Sequence, residues 1–382
     1  MSDPSLLRQE QAYGGGVHYA PVSFKDLPGW EGDAFGDALQ AFHHSATFFG
    51  QNAHSWATTR QLSQEALHAW QEASKALMEA GSNGPQALKN ALTRHLAPYQ
   101  LITPDQDKEG ILTGYYHPVL SARRTKDARF DTPILRRPHD LILVEDAGGF
   151  NPAWEGTRIG GRVEGGTLVP YFTRKEIMAG ALDGRNLEIA WVEDQAEAFF
   201  MMVQGSGTLL FEDERTLTLD YAATNGHPYA SIGRVLLDQG ALDPERATAR
   251  DVKDWLCAHP HDAPALMAHN PSYVFFKEAD KSFAPCGALG TPLTPLRSLA
   301  CDPRYIPLGA PVWVSAARLP WQSAPFSRLF FAQDVGGAIK GHIRADLYCG
   351  VGEEGFDQAS DLNHKGALFI LWPRVLGAPH VR

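Results

Sequence analysis

From about residue 110 onward, the chain consists of short apolar runs separated by glycine, proline and asparagine, and this pattern restricts the fold most strongly. Typical runs are Gly110–Tyr116, Leu187–Val192 and Leu329–Gln333. Runs of this length between turn residues are typical of β-strands, and many short strands with close turns form barrels. The 36 glycines and 26 prolines fit such a turn-rich body. The sequence therefore predicts a small β-barrel.

The part of the chain before residue 100 has a helical pattern instead. Apolar residues recur there at steps of three and four, which predicts an amphipathic helix ending near Gly81. Pro85 suits the first position of a second helix. We expect both stripes to pack against a core. Their members are Leu62, Ala66, Leu67, Trp70, Ala73 and Leu77, followed by Ala87, Leu88, Leu92 and Leu96.

Composition and charge exclude several classes of protein. A net charge of −10 argues against nucleic-acid binding, and no apolar run reaches the length of a membrane span. The 4 cysteines form no C-x-x-C pair, and the 15 histidines are scattered, so no metal site is predicted. The chemistry considered below needs no cofactor.

Two carboxylates, Asp334 and Asp346, lie on either side of a glycine-rich bend within Phe331–Gly350. The flanking segments read as two strands, and the glycines allow the turn between them. Such an arrangement can bring one or both acids into a cleft, where burial holds a carboxyl group protonated at neutral pH. A protonated carboxyl group can supply a proton to an oxygen leaving group. The alternative is that each Asp is a turn residue that binds backbone N–H groups.

Two further segments are candidates for substrate binding. Thr113, Gly114, Tyr115 and Tyr116 place two aromatic rings beside a glycine, which suits either a sugar groove or a strand in the core. The polar turn Gln204, Gly205, Ser206 and Gly207 interrupts a strongly apolar run. Gln204 and Ser206 can bind a sugar hydroxyl or amide. Ser206 is a poor candidate for a hydrolase nucleophile, because the strand-to-helix elbow of such enzymes is missing.

These segments, taken together, resemble the membrane-bound lytic transglycosylase A (MltA) family. The matching motifs TGYY, VQGSG, YAATNGHPYASIG, NPSYVFF, ALGTPLTPLRSLACDPRYIPLGAPVWV and AQDVGGAIKGHIRADLYCG occur in the family's order over residues 110–372. The C-terminal part also resembles the 3D domain, named for three aspartates. Their closest counterparts here are Asp334, Asp346 and Asp361.

The resemblance implies a mainly β fold with N-terminal helices. In it, residues 1–116 and 232–382 form a catalytic double-psi β-barrel domain with helices. Residues 117–231 form a second, inserted small β-barrel domain, and a groove between the two domains binds the glycan.

The resemblance also implies an activity. Family enzymes cleave the β-1,4 bond between N-acetylmuramic acid and N-acetylglucosamine in peptidoglycan and leave a 1,6-anhydro end. It implies that Asp346 is the essential acid and that Asp334 lies in the same cleft. Lys340 and Arg344, which flank the bend, are candidate contacts for glycan or peptide, although Lys340 also fits a solvated surface charge.

Two other activities remain open at this point: a non-catalytic peptidoglycan-binding module and a hydrolytic muramidase. Expected partners are peptidoglycan glycan strands, with other cell-wall enzymes as further candidates. The substrate implies a periplasmic protein associated with the outer membrane. Many members of the family carry an N-terminal lipobox cysteine, and the sequence departs from them, because every cysteine follows residue 256. Met1–Pro4 does not predict a secretory signal. Two expectations stay open: a cytoplasmic protein, or a sequence that begins after a removed export segment.

Overall fold

The computed structural model describes residues 17–51, 63–144, 149, 159–243, 247–279 and 285–379, with the side chains of 49–51 excepted. These residues fall into two compact units. The described parts of Met1–Tyr116, Cys286–Gly350 and Glu354–Arg382 form unit 1. The described parts of His117–Pro285 and Val351–Glu353 form unit 2.

The α-helices and strands are numbered in chain order. The helices are α1 (Ala38–Gln51), α2 (Gln64–Gly81), α3 (Pro85–His95), α4 (Arg174–Met178), α5 (Gln195–Gln204), α6 (Ile232–Asp238), α7 (Ala249–Ala258), α8 (Ala263–Met267) and α9 (Gly352–Ala359). The strands are β1 (His18–Pro21), β2 (Leu96–Ile102), β3 (Gly110–His117), β4 (Val119–Arg123), β5 (Thr132–Leu135), β6 (Ile142–Val144), β7 (Ile159–Glu164), β8 (Thr167–Pro170), β9 (Glu188–Val192), β10 (Gly207–Phe211), β11 (Thr216–Thr224), β12 (Val274–Glu278), β13 (Ser298–Cys301), β14 (Pro311–Ala316), β15 (Phe326–Asp334), β16 (Arg344–Val351) and β17 (Asn363–Pro373). Single 3₁₀ turns cover Phe24–Asp26, Trp30–Gly32 and Arg374–Leu376.

Unit 1 is built on a closed β-barrel. Its strands follow the order β17-β14-β15-β13-β16-β3, and β3 pairs again with β17. Closure leaves no free edge among these strands. Strands β13 and β15 are parallel, and the other described pairs of the barrel are antiparallel. The predicted double-psi barrel fold is thus confirmed, and β1 and β2 extend the sheet from β17.

The N-terminal helices cover this barrel, as the sequence predicted. In α2, Leu67, Trp70 and Leu77 are buried, and the Trp70 ring meets the Trp372 ring of β17 edge-on at 5.7 Å. Helix α3 begins at Pro85, as expected. Ser63 accepts a hydrogen bond from the Ala66 N–H and so caps α2. Leu62 lies outside the described residues.

One buried ion pair fixes the N-terminal segment to the barrel. The Arg297 guanidinium donates from Nη1 to Asp33 Oδ2 at 2.7 Å and from Nη2 to Oδ1 at 2.8 Å, and both side chains are 2% exposed. Asp33 also accepts the backbone N–H groups of Phe35 and Leu329. These hydrogen bonds and the Arg297 charge offset the cost of burial and hold the pKa of Asp33 below its usual range.

Unit 2 contains a second barrel-like sheet, with strand order β12-β11-β10-β4-β9-β5. A bridge between Arg136 and Phe276 joins the two ends of this order, so the sheet is nearly closed. The inserted β domain of the sequence prediction is therefore present. A separate three-stranded sheet is formed by β6, β7 and β8.

The division of the chain differs from the predicted boundary after Ser231. The described residues of 232–285 lie in unit 2. Helices α6, α7 and α8 bury an apolar cluster against α5, and β12 pairs with β11. A helix that follows a domain in sequence can pack on either side of a boundary, and its apolar face alone does not say which.

Two buried asparagines connect two motifs of unit 2 whose contacts the sequence did not predict. Asn225 donates to the carbonyls of Phe172 and Pro271 and accepts the Tyr273 N–H. Asn270 accepts the N–H groups of Ala230 and Ser272. The NGHPY and NPSY segments are thus held together by amide side chains, whose paired donors and acceptors suit buried loops.

We expect Asp33→Asn to destabilise unit 1 by about 3–5 kcal/mol, because it leaves Arg297 as an uncompensated buried charge. The urea midpoint of unfolding measures the effect. Asp238→Asn is the matched control, since Asp238 pairs with Arg234 on an exposed helix face. That change should alter the stability by no more than about 1 kcal/mol. Equal midpoints for the two variants would contradict the prediction.

Candidate active site

The two acids lie on strands that flank β13 rather than on neighbouring strands. Ala300 of β13 is the register partner of Asp346 on one side and of Asp334 on the other. The glycine bend therefore crosses over an intervening strand. The sequence placed both acids on strands around this bend but gave no sign that β13 separates them.

A β-bulge brings Asp334 into this position. Leu299 pairs with Ala332 and Ala300 pairs with Asp334, so Gln333 is the extra residue of the bulge. The buried Gln333 side chain accepts from Ser298 Oγ at 2.6 Å and donates to Ala41 O at 2.7 Å. These contacts anchor the bulge to β13 and α1, and they leave the next residue, Asp334, opposite Ala300.

Asp346 is half-buried and accepts a short hydrogen bond from Thr113 Oγ1 at 2.6 Å. The loss of surrounding water raises the pKa of this carboxyl group, whereas the Thr113 hydrogen bond and the Arg344 charge oppose the rise. Asp346 thus has a raised pKa and is still accessible to a ligand.

Asp334 is also half-buried and accepts three hydrogen bonds. The Tyr115 hydroxyl donates to Oδ2 at 3.0 Å, and the N–H groups of Ala288 and Val335 donate to Oδ1 at 2.9 Å each. Desolvation raises the pKa of Asp334 to about 6; the three hydrogen bonds lower it, and the Asp346 charge adds to the rise. Burial and the two acids together raise the pKa of the Tyr115 hydroxyl, so it remains a proton donor to Asp334.

Strand alternation separates the four predicted residues of β3 into two faces. Thr113 and Tyr115 contact the acids, whereas Tyr116 is buried against Phe356 and Cys349. Gly114 lies against α9, where a Cβ atom would come within 2.6 Å of Ala359 Cα. In this structure, therefore, Gly114 and Tyr116 serve packing, and Thr113 and Tyr115 belong to the acid cluster.

The bend between the acids carries the two predicted cations. Arg344 is half-buried, and its Nη1 donates to the Ala345 carbonyl at 2.8 Å. Lys340 is exposed, and no ion pair joins it to another described residue. Arg344 is thus held beside Asp346, and Lys340 is a solvated charge.

The sequence reasoning missed Asp302, which holds the bend in place. Asp302 is 2% exposed, accepts the Gly341 N–H at 3.0 Å and pairs with Arg304. The sequence signal that could have identified Asp302 is its position directly after the buried strand β13, as Asp334 ends β15.

Asp361, the suggested third aspartate, lies in the turn after α9. The backbone of Ala288 was also missed, because a backbone donor leaves no trace in side-chain patterns.

In unit 2, the predicted Gln204–Gly207 turn ends α5 and starts β10. Gly205 caps the helix with φ of +82°, a conformation that favours glycine. Ser206 Oγ lies 3.0 Å from His117 Nδ1, and His117 Nε2 lies 2.9 Å from Thr208 Oγ1. Burial lowers the pKa of His117 to about 4, so the ring is neutral. Since a hydroxyl rather than a carboxylate faces the second ring nitrogen, this is no Ser-His-Asp triad.

Within the part of the chain that the structure describes, no group of three or more His, Cys, Asp or Glu side chains could hold a metal ion. Nor is any helix among those residues long and apolar enough to cross a membrane.

Comparison with known proteins shows which family the chain belongs to. Residues 111–277 match the MltA specific insert domain, and residues 297–372 match the 3D domain. The membrane-bound lytic murein transglycosylase from Agrobacterium tumefaciens has a crystal structure that superposes with a TM-score of 0.82 at 31% identity, covering 94% of this chain and 98% of that one. The chain belongs to the MltA family.

Two further relatives define the extent of the similarity. The membrane-bound lytic murein transglycosylase A of Vibrio cholerae is 34% identical over 275 residues, which span 69% of this chain and 66% of that protein. The structure of Escherichia coli MltA with bound chitohexaose has a TM-score of 0.69 at 28% identity, covering 95% of this chain and 92% of that one. In the chain described here, both Asp334 and Asp346 fall within the matched 3D domain.

The raised pKa of Asp334 leads to a stability prediction. Between about pH 4, the pKa of an unperturbed Asp, and pH 6, the folded protein holds a proton at Asp334 that the unfolded chain has released. This group therefore makes the protein less stable as pH rises. The thermal midpoint of Asp334→Asn minus that of the wild type should increase by roughly 2–6 °C as the pH rises from 4 to 7. Asp238→Asn, at an exposed position, should show no such trend; a falling difference for Asp334→Asn would refute the assignment.

Proposed function

We propose that this protein is a peptidoglycan lytic transglycosylase. It cleaves the β-1,4 bond between N-acetylmuramic acid and N-acetylglucosamine and leaves a 1,6-anhydro-N-acetylmuramic acid end. The observation that carries the proposal is the pair of half-buried acids, Asp334 and Asp346, whose pKa values are raised by desolvation. Both acids belong to a chain whose relatives are named as lytic murein transglycosylases.

Asp346 acts first as a general acid. Its raised pKa favours the protonated carboxyl group. The proton passes to the glycosidic oxygen as the bond from C1 to that oxygen breaks. Positive charge develops on the muramic acid ring in an oxocarbenium-like transition state. The departing N-acetylglucosamine leaves as a neutral alcohol, and Asp346 becomes a carboxylate.

Asp346 then acts as a general base. The carboxylate takes the proton of the C6 hydroxyl of the same muramic acid residue, and the C6 oxygen bonds to C1. This step closes the 1,6-anhydro ring and restores the protonated acid, so no water is consumed. Because the nucleophile is part of the substrate, its proximity supplies part of the rate.

Thr113 and Arg344 adjust the pKa of Asp346, which must act first as an acid and then as a carboxylate base. Both favour the carboxylate, the first by donating a hydrogen bond and the second by its positive charge. They therefore limit the rise in pKa that burial causes, and the group can both release and accept a proton. Thr113 also fixes the orientation of Oδ1, which leaves Oδ2 for the substrate.

Asp334 and Tyr115 support this acid without taking its role. Three donors, one of them the Tyr115 hydroxyl, occupy both oxygens of Asp334, so it is less suited to transfer a proton to substrate. The Asp346 charge raises the pKa of Asp334, so the two acids influence each other's ionisation.

The substrate class is supported by the E. coli relative with bound chitohexaose, an oligomer of a β-linked amino sugar. For this chain, we assign substrate contacts to Thr113, Tyr115 and Arg344 in unit 1 and to Gln204 and Ser206 in unit 2. Lys340, Gly205 and Gly207 stay contacts predicted from the sequence, whereas Gly114 and Tyr116 serve packing in unit 1. The relatives are named as membrane-bound murein transglycosylases, and from the substrate class we propose that this protein is periplasmic and associated with the outer membrane.

The products released from purified sacculi test the reaction. Wild-type protein should release muropeptides with 1,6-anhydro ends, identified by mass spectrometry, and Asp346→Asn should lower their yield at least about 1000-fold, because both proton transfers are lost. Asp334→Asn is the matched variant and should retain more activity than Asp346→Asn.

Each alternative has its own outcome in the same experiment. Reducing ends would identify a hydrolytic muramidase, and binding to sacculi with no new ends would identify a binding module. Greater loss in Asp334→Asn than in Asp346→Asn, with both variants folded by circular dichroism, would transfer the acid role to Asp334.

Thr113→Val tests the positioning of Asp346 separately. Without the hydroxyl donor, the pKa of Asp346 should rise further, so the alkaline limb of the pH–rate profile should move to higher pH while the maximal rate falls about 10-fold or more. Thr113→Ser keeps the donor and should restore the wild-type profile. An unshifted limb in Thr113→Val would show that Thr113 only packs against β16.

A further inference from the structure

A cavity of about 530 Å³ lies within unit 2 and has no part in the proposed cleavage. Its walls are formed by α4, β5, β9 and α5, and apolar contacts come from Trp191, Phe199, Met202 and Tyr273. The volume falls in the usual range for small-ligand sites. A ligand there also needs polar groups in the lining, and several are present.

The deepest charged group in this lining is Arg174, which is 3% exposed. Its Nε donates to Asn270 O at 3.1 Å, its Nη2 to Ser272 O at 2.6 Å, and its Nη1 contacts Met202 Sδ at 3.3 Å. The guanidinium also lies 4.6 Å from the centre of the Phe199 ring. All of these partners are neutral.

Arg174 thus lacks a counter-ion among the described residues. A guanidinium carries five N–H groups, and the contacts above use three of them. A buried cation is costly unless an anion pairs with it, and burial indeed lowers the pKa of Arg174 to about 10. The two carbonyls and the Phe199 ring hold the Arg174 guanidinium in place but do not neutralise its charge.

The other charges of the cavity are mainly acidic and lie nearer to solvent. Asp131, Asp183 and Glu193 are exposed, and Glu188 is half-buried. Glu193 is paired with Arg129, which lies outside the lining. Lys126 is exposed and lies over the Trp191 ring at 5.2 Å. The cavity therefore has a positive floor at Arg174 and a largely negative mouth.

We infer that this cavity binds a short peptide that has both a free carboxylate and a free amine. The carboxylate pairs with Arg174 in a charge-assisted hydrogen bond, the amine faces Glu188 and the acids at the mouth, and the aromatic walls contact the chain between them. The stem peptides of peptidoglycan have this chemistry, and that choice of source rests on the proposed function. The charge pattern of the ligand follows from the cavity alone.

Isothermal titration calorimetry of the full chain with the tripeptide L-Ala-γ-D-Glu-L-Lys tests the inference. The free tripeptide should bind, and amidating its carboxyl groups should weaken binding at least about 10-fold, the usual effect of losing a charged hydrogen bond. Acetylating its amines should weaken binding in the wild type but should have a smaller effect in Glu188→Gln.

Two variants keep the test decisive. Arg174→Gln should remove the preference for the free carboxylates; since Arg174 also holds the loop at residues 270–272, its folding is checked by thermal midpoint. Ala179→Trp, at an exposed position of the lining, should block the cavity and abolish peptide binding without touching Arg174.

Several results would overturn the inference. These are no binding of the free tripeptide, equal binding of its amidated form, unchanged binding in Ala179→Trp, or equally tight binding of inorganic phosphate, which would indicate an unspecific anion site. Binding of a disaccharide-tripeptide but not of the free tripeptide would place recognition in the sugar and also overturn it. The free tripeptide contains no glycosidic bond, so each result is independent of whether Asp346 cleaves glycan.

Discussion

The pairing of β3 with β16 and β17 is the constraint on which the candidate site depends. It closes the barrel of unit 1 and brings Thr113 to Asp346, although 233 positions separate them in the chain. All of unit 2 except Val351–Glu353 is inserted between β3 and the rest of the barrel strands. Closure also fixes the level of β3, because Gly110 and Ile343 are in such close contact that a Cβ at Gly110 would lie 1.8 Å from the Ile343 carbonyl oxygen. A shift of β3 by one residue would turn Thr113 and Tyr115 away from the acids.

The acids of the site are under two opposing influences. Desolvation favours the neutral carboxyl group at both positions, whereas hydrogen bonds and Arg344 favour the carboxylate. The number of donors separates the two: Asp334 has three, and Asp346 has one from Thr113. Asp334 is consequently fixed by the protein, and Asp346 has an oxygen left to exchange a proton. Chemically identical side chains thus acquire different capacities from their surroundings, which is the general route to acid–base function in a fold.

Both units bury polar side chains that have hydrogen-bond partners. Unit 1 buries the Asp33–Arg297 ion pair and the Gln333 amide. In unit 2, Asn225 and Asn270 join loops through neutral hydrogen bonds. Against that background, Arg174 is unusual as a buried charge with neutral partners only. A buried charge that still has unused hydrogen-bond donors marks a candidate ligand site rather than a packed interior.

The sequence by itself determined the helices over 64–95, the strands on both sides of the glycine bend, and the presence of Asp334 and Asp346 at that bend. These features follow from local periodicity and turn chemistry, which act between residues a few positions apart. Only the tertiary structure decided that β13 lies between the acids, that Thr113 rather than Gly114 faces Asp346, and that α6, α7, α8 and β12 pack with unit 2. Those outcomes depend on strand pairings and helix contacts between distant segments. Many partners satisfy the same local pattern, and the choice among them is made by the packing of the whole chain.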